Sequence, residues 1–294
     1  MKRYNVVLLL LNYNDYKTTI EFLLKVKEYN TISKIIVIDN KSTDKSLEEL
    51  NKFVNDKIDV ICTDKNGGYG YGNNFGAKYA EKKYNPNYFI ISNPDVIVEE
   101  ETIINILKCI EEEKNISIGT CKMLERDGTI NDRFAWKLPT YKDNIILCFP
   151  IISRILKPTR YKKEILKDSK PILVDVIPGS FFIIKADTFK KINYFDERTF
   201  LFYEEEILAY KLKNLGEKSI LVPYEQFIHN HGVSINKTYQ NYLSRYKIMG
   251  KSKEIYLNNY LKVGKVKLGV FKIIFNYSKL EFAIIEKIKK LLRL

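Results

Sequence analysis

The sequence predicts an α/β fold, a nucleotide-binding half-fold on a largely parallel sheet, followed by a helical C-terminal appendage. Apolar runs, helical periods between them and polar residues closing each run carry that reading. Val6–Leu11 and Lys34–Ile38 are nearly unbroken apolar stretches, as in strands buried on both faces of a parallel sheet. Between them, Tyr16–Tyr29 places Ile20, Leu23, Leu24 and Val26 at helical spacing, so strand, helix and strand form a βαβ unit. The alternation continues with a helix at Ser46–Val54, a strand at Asp59–Thr63, a helix at Asn73–Lys83 and a strand at Tyr88–Ser92. These strands end at Asn12, Asp39, Asp64 and Asn93, and ligands of such sheets sit beyond the carboxyl ends of the strands. Thr102–Glu113 is a further helix, Ile151–Lys167 has no clean period, and the strand-like run Val174–Ile184 precedes a helix at Ala186–Ile192. No linker of low complexity and no repeat of fixed period divides the chain.

Composition narrows the functional classes. A chain of 294 residues with 45% hydrophobic and 29% charged residues is globular, not disordered. Its 49 Lys and Arg against 36 Asp and Glu give +13, a field suited to nucleic acid, an anionic membrane or phosphorylated substrates. Cys62, Cys109, Cys121 and Cys148 lack paired spacing, which argues against zinc and a disulfide framework and for the reduced thiols of a cytoplasmic protein. The first apolar run is too short for a signal peptide, and no stretch approaches the ~20 apolar residues of a spanning helix. The expected membrane contact is therefore peripheral.

Several segments offer chemistry. In Val37-Ile-Asp-Asn-Lys-Ser-Thr-Asp44 a carboxylate closes a strand, where Asp39 can accept a hydrogen bond from the ring N–H of uracil or thymine. Ser42, Thr43 or Asp44 equally suits a plain helix cap. Asn66–Gly76 holds five glycines in eleven residues before a helix, a composition that lets backbone approach a phosphate or ribose. It is neither a P-loop nor a dinucleotide fingerprint. Ser92-Asn-Pro-Asp95 follows a strand directly; it is a common turn, and also a place where a divalent ion would bridge protein and diphosphate. Phe200-Leu-Phe-Tyr-Glu-Glu-Glu206 sets three carboxylates at the mouth of a helix, whose dipole favours anions there.

In this order and at these separations, Leu11-Asn-Tyr-Asn14, Val37–Asp44, Asn66–Gly76 and Asn93-Pro-Asp95 resemble the inverting family 2 glycosyltransferases of GT-A fold, especially the rhamnosyltransferase-like branch. Asp127-Gly-Thr-Ile130, Val174–Ile184, Phe195-Asp-Glu197 with Phe200–Glu205, and His229-Asn-His-Gly-Val-Ser234 extend the resemblance over roughly residues 4–260. It implies a Rossmann-like half-fold with a mixed central sheet, and a transferase domain over 1–235. Asp39 would recognise the base, and Asn12, Asn66, Gly67, Gly68, Asn73, Asn93 and Asp95 would line the nucleotide sugar. Asp95 and His229 would hold Mg²⁺ or Mn²⁺. The family's Glu-Asp pair falls on Glu204-Glu205, so the base is expected at Glu205, with Glu204 in reserve. Two departures stand out: a Glu replaces the usual Asp, and Ile207 replaces a further acid. The implied donor is dTDP-L-rhamnose, with a UDP-hexose next, in cell-surface polysaccharide synthesis. A non-catalytic nucleotide-sugar-binding relative and a nucleotidyltransferase are the rival classes.

Residues 236–294 form the appendage. Lys262–Leu294 carries nine Lys or Arg against Glu281 and Glu286. Val270, Ile273, Ile274, Tyr277, Leu280, Ile284, Ile288 and Leu291 recur at helical spacing, as in a basic amphipathic helix lying on an anionic membrane. A helix packed on the domain is the competing reading. A lipid-linked saccharide acceptor, at the inner face of the plasma membrane, would account for the tail, with Arg154, Lys157, Arg160, Lys162 and Lys163 on the same face. No nucleic-acid module is recognisable.

Overall fold

The computed structural model describes residues 4–230 and 242–291. Strands β1 (Val6–Asn12), β2 (Lys34–Asp39), β3 (Ile58–Cys62) and β4 (Tyr88–Ser92) lie parallel in the order β3-β2-β1-β4. Helices α1 (Tyr16–Val26), α2 (Ser46–Asn51) and α3 (Tyr69–Tyr84) make the crossovers. The apolar runs of β1 and β2 are buried on both faces, Val7 through Leu10 and Ile35 through Ile38 among the least exposed residues of the core. That burial is the dominant favourable term holding the sheet.

The remainder turns the sheet mixed. It comprises β5 (Val96–Ile97), α4 (Glu100–Glu112), β6 (Ile116–Leu124), α5 (Tyr141–Ile146), α6 (Pro150–Leu156), β7 (Ile172–Val174), β8 (Phe181–Lys185) and α7 (Ala186–Lys191), then α8 (Glu204–Leu215) and β9 (Lys218–His229). Strand β8 runs antiparallel between β4 and β6, β6 pairs β9 in parallel, and β5 and β7 pair β9 antiparallel. The strand order is β3-β2-β1-β4-β8-β6-β9-β5, with β7 joined to β9.

Two elements differ from the expectation. The glycine-rich stretch is not a loop before the helix: α3 starts at Tyr69, and Gly70, Gly72 and Gly76 lie within it. A Cβ at Gly72 would stand 2.3 Å from Leu11 Cδ1, and one at Gly76 2.7 Å from Ile38 Cδ1. Close seating of the helix on the sheet offsets the poor helix propensity of glycine, roughly 1 kcal/mol each. Val174–Ile184 is likewise not one strand, because the chain leaves β9 after Val174 and joins β4 from Phe181. The turn between them carries Gly179.

After residue 241 come α9 (Tyr242–Ile255), a wider π turn (Tyr256–Tyr260) and α10 (Lys265–Leu291). Tyr246, Leu257, Phe271, Phe275 and Phe282 pack with Cys148 in a second apolar cluster, and Tyr256 packs with Tyr203 and Ile207 in a third. Helix α10 is thus apolar on two sides. Phe271, Phe275 and Phe282 face inward, while Val266, Val270, Ile273, Tyr277, Leu280 and Ile284 are exposed. Among the described residues, no helix is long and apolar enough to cross a membrane. The side chains of Ile288 and Leu291 lie outside the description.

Candidate active site

The in-register pairing of β1 and β2 sets Asn12 beside Asp39. Asn12 Nδ2 donates to Asp39 Oδ1 at 2.9 Å, and Asn12 Oδ1 accepts from Thr19 Oγ1 at 2.9 Å. The Ser42 amide donates to Asp39 Oδ2 at 3.0 Å. Asp39 is therefore held by both oxygens; Oδ2 also accepts from Cys62 Sγ at 3.7 Å, and Oδ1 keeps a lone pair. Asn66 Oδ1 accepts from the Gly68 amide at 3.2 Å and from Asn40 Nδ2 at 3.1 Å. Gly68 has φ +90° and a Cβ there would stand 2.0 Å from the Phe200 carbonyl oxygen, which also receives the Tyr69 amide at 3.1 Å. The start of α3 is thereby fastened to the segment leading into α8. Asn73 is fully buried inside α3, its amide donating to the Tyr69 carbonyl at 3.0 Å.

Beyond β4, the Asn93 amide donates to the Ser180 carbonyl at 2.8 Å. Pairing of Val96 with His229 brings Asp95 Oδ1 within 3.1 Å of His229 Nε2, with both residues buried. Two ligands on adjacent corners of an octahedral ion at about 2.1 Å stand about 3 Å apart, so the pair fits Mg²⁺ or Mn²⁺ completed by substrate oxygens. Among the described residues no cluster of three or more His, Cys, Asp or Glu is placed to hold a metal alone. His231 through Ser234 lie outside the described residues.

Phe202 and Tyr203 enter α8 with φ of +72° and +70°, two successive non-glycine residues in the left-handed region. Such strain, of order 1–3 kcal/mol each, persists where surrounding packing imposes it; here Tyr203 is buried against Tyr256, its hydroxyl donating to Asn144 Oδ1 at 2.5 Å. The three glutamates then diverge. Glu204 is 3% exposed, and its Oε1 has no partner among the described residues. Burial, followed by the charge of Glu205, pushes its carboxyl well above the ordinary range. Glu205 Oε1 accepts from the Gly179 amide at 3.2 Å, and burial raises its pKa too. Glu206 Oε1 accepts from Trp136 Nε1 at 3.1 Å; burial, then Glu205, pushes it up to about 7.

Glu205 and Glu206, but not Glu204, line a cavity of about 500 Å³ with Arg133, Trp136, Tyr203 and Lys253. On the other side, Gly179 and Ser180 tie Glu205 to the Asn93 turn, and Tyr69 Oη donates to the Gly179 carbonyl at 2.6 Å. The turn after β4 and the cavity thus both reach the Gly179-Ser180 segment, through Asn93 and Glu205. Sequence reading missed Trp136, Gly179 and Lys253. Trp136, the single tryptophan of the chain, was the available signal; the other two gain their meaning only from contacts distant in sequence.

The mixed central sheet with its parallel half and antiparallel β8 is that of a GT-A glycosyltransferase. The chain belongs to glycosyl transferase family 2, whose model matches residues 8–192. It is 27% identical over 165 residues to the rhamnosyltransferase WbbL of Escherichia coli strain K12, covering 55% of this chain and 60% of that protein. It is 27% identical over 238 residues to the low-salt glycan biosynthesis hexosyltransferase Agl10 of Haloferax volcanii, covering 78% and 70%. The fold is shared with the mannosyltransferase PcManGT of Pyrobaculum calidifontis, solved with GDP-Man and Mn²⁺. There the TM-score is 0.58 at 11% identity, over 97% of this chain and 75% of that one.

Proposed function

We propose that this glycosyltransferase moves a sugar, with inversion, from a nucleoside-diphosphate donor to a hydroxyl of a lipid-linked saccharide in cell-surface polysaccharide synthesis. The observation that carries the reading is the placement of Glu205 between the Gly179 turn and the cavity. The acceptor hydroxyl gives its proton to Glu205 while its oxygen bonds to the anomeric carbon. The bond from that carbon to the diphosphate breaks on the opposite face, and its electron pair leaves with the nucleotide. A carboxylate with a raised pKa is the stronger base near neutrality. Asp39 reads the pyrimidine ring N–H, with Asn12 orienting it. Asn66, Gly67, Gly68 and Asn93 flank the nucleotide. Asp95 and His229 would hold Mg²⁺ or Mn²⁺, which when bound neutralises charge on the departing diphosphate.

The donor is assigned as dTDP-L-rhamnose, supported by the likeness to WbbL. The likeness to Agl10, a hexosyltransferase, supports a UDP-hexose as the second reading. Release of nucleoside diphosphate from each sugar nucleotide, measured with and without Mn²⁺, separates them. Glu205→Gln should abolish transfer and leave donor binding intact; near-normal turnover sinks the assignment. If every nucleotide sugar is bound and none is cleaved, the protein is a non-catalytic relative.

The exposed apolar row of α10 and the exposed Ile151, Ile152, Ile155 and Leu156 of α6 support a peripheral membrane position at the cytoplasmic face. The two helices are joined where the Ile151 amide donates to Glu281 Oε1 at 3.2 Å. Lys265, Lys267 and Lys272 flank the row and suit anionic lipid. Ile273→Glu with Leu280→Glu should abolish sedimentation with phosphatidylglycerol vesicles, and unchanged sedimentation refutes the membrane position.

A further inference from the structure

The C-terminal appendage reaches the three glutamates through residues that no step of the transfer uses. Phe202 and Tyr203 keep left-handed backbone just ahead of Glu204, and neither is a glycine. Such a conformation persists only where contacts from elsewhere impose it. One contact comes from the start of α3, where the Tyr69 amide donates to the Phe200 carbonyl at 3.1 Å. The next carbonyl, that of Leu201, accepts from Ser252 Oγ of α9 at 2.9 Å. Ser252 is 1% exposed, so its hydroxyl works inside the contact and not at the surface. Successive carbonyls are thus pinned by two distant parts of the chain, the first by the domain and the second by the appendage.

The π turn supplies the rest of the grip. The Leu261 amide donates to the Tyr256 carbonyl at 3.0 Å, five residues back, which widens the Tyr256–Tyr260 turn. Single π turns are rare and occur frequently at functional sites. Here Tyr256 is set against Tyr203, with ring centroids 5.6 Å apart, and against Tyr210 of α8 at 6.3 Å. Tyr256 is wholly buried, and its hydroxyl donates to the Pro139 carbonyl at 3.0 Å, three residues after Trp136. One ring therefore spans the first two turns of α8 and reaches the segment that carries Trp136. Tyr260 extends the hold: its hydroxyl donates to Asp196 Oδ2 at 2.7 Å, on the loop into α8, and its ring lies 5.7 Å from Tyr210.

We propose that Ser252 and Tyr256 are positioning residues for sugar transfer, holding the entry to α8 so that Glu205 stays on the Gly179 amide and Glu206 on Trp136. They act through Leu201 and Tyr203. The proposal deepens the transferase reading and rests on it for the effect on rate. A base moved by about 1 Å from its productive place loses about 100-fold in rate. The appendage therefore governs turnover even where no membrane is present.

The single tryptophan gives a reading that does not depend on activity, because Trp136 Nε1 donates to Glu206. Glu206 titrates at about 7 amid Glu204 and Glu205 on α8, Arg133 and Lys253 in the cavity, and Tyr203 and Tyr256 behind it. In the full chain, Trp136 emission followed between about pH 5 and pH 9 should show that transition. Ser252→Ala should lower its midpoint by about half a unit or more, since a carboxylate released from its seat gains water. The same variant should lose about tenfold or more in kcat for nucleotide-sugar cleavage, while calorimetric affinity for dTDP with Mn²⁺ stays that of the wild type. Tyr256→Leu should do likewise, and Tyr256→Phe, which keeps the ring, should keep the wild-type kcat and midpoint. Ser252→Ala leaves every ring in place and decides the matter if Tyr256→Leu does not fold. An unmoved midpoint in Ser252→Ala overturns the proposal. So does a parallel loss of dTDP affinity, which marks a general loosening, and so does a Tyr256→Phe that behaves as Tyr256→Leu. Cleavage by the wild type is scored separately. Cleavage with flat midpoints and flat kcat overturns the positioning role alone; shifted midpoints with no cleavage of any nucleotide sugar uphold the hold on the carboxylates and overturn the transferase reading.

Discussion

The Gly179 amide lies 3.2 Å from Oε1 of Glu205, and a Cβ built at position 179 would stand 2.5 Å from that same oxygen. The glycine both donates to the carboxylate and leaves room for it. Gly179→Ala should push the carboxylate off its position. A displacement of that order costs about 100-fold in rate when the group acts on the reacting centre. Steady-state kinetics of the variant, with a melting curve to show that it folds, check this; an unchanged kcat contradicts it.

Glu206 gives a pH signature. Its carboxyl is pushed up to about 7 from 4.5, first by burial and then by Glu205. The folded state therefore binds the proton more tightly than the unfolded chain. Its contribution to stability is full below 4.5 and is lost as pH rises through about 7. Glu206→Gln cannot ionise, so its unfolding free energy should gain on the wild type between about pH 5 and pH 8, by at most about 3 kcal/mol, with Tm moving in the same direction. Paired melting curves across that range decide it, and a constant gap would remove the assignment.

On the proposed assignment of the metal to Asp95 and His229, Asp95→Asn should weaken Mn²⁺ binding at least about tenfold, because a neutral amide would replace a charged ligand. Calorimetric titration of Mn²⁺ in the presence of dTDP reads this directly. His229→Ala should act in the same direction, and the double variant should add little once the ion is lost.

Gly68→Ala is expected to be among the costliest substitutions in the first half of the chain. The position combines φ of +90° with a carbonyl 2.0 Å from any Cβ. Loss of about 2 kcal/mol or more, seen as a lower denaturation midpoint, should come with loss of transfer, since Phe200 must retreat and takes the entry to α8 with it.

How much of this was legible varied with the range of the interactions. The apolar runs at Val6–Leu11 and Lys34–Ile38 announced buried parallel strands because a strand enclosed on both faces leaves no polar alternation. Asp39 closes β2 and Asp95 follows β4, positions visible in the sequence because a polar residue ends each apolar run. Gly70, Gly72 and Gly76 misled, since glycine disfavours helices locally and the compensating contacts come from Phe195, Leu11 and Ile38 far away in sequence. The glutamate run was visible, yet the different surroundings of its three members were not. They depend on Gly179 and Trp136, placed by a turn and an irregular segment with no period to read. The two-sided apolar character of α10 was hidden for a similar reason: periodicity marked Val270, Ile273 and Tyr277, but only packing separates them from Phe271 and Phe275.

Consecutive residues of an α-helix are turned by about 100°. Glu204, Glu205 and Glu206 use that rotation to face the interior, the Gly179 turn and Trp136 in succession. Adding or removing one residue between Tyr203 and Ile207 would hand each carboxylate its neighbour's surroundings, leaving the composition of the segment nearly intact and its assignment of parts scrambled. The segment behaves in this respect like a reading frame: a substitution spoils one position, whereas a change of length spoils all three.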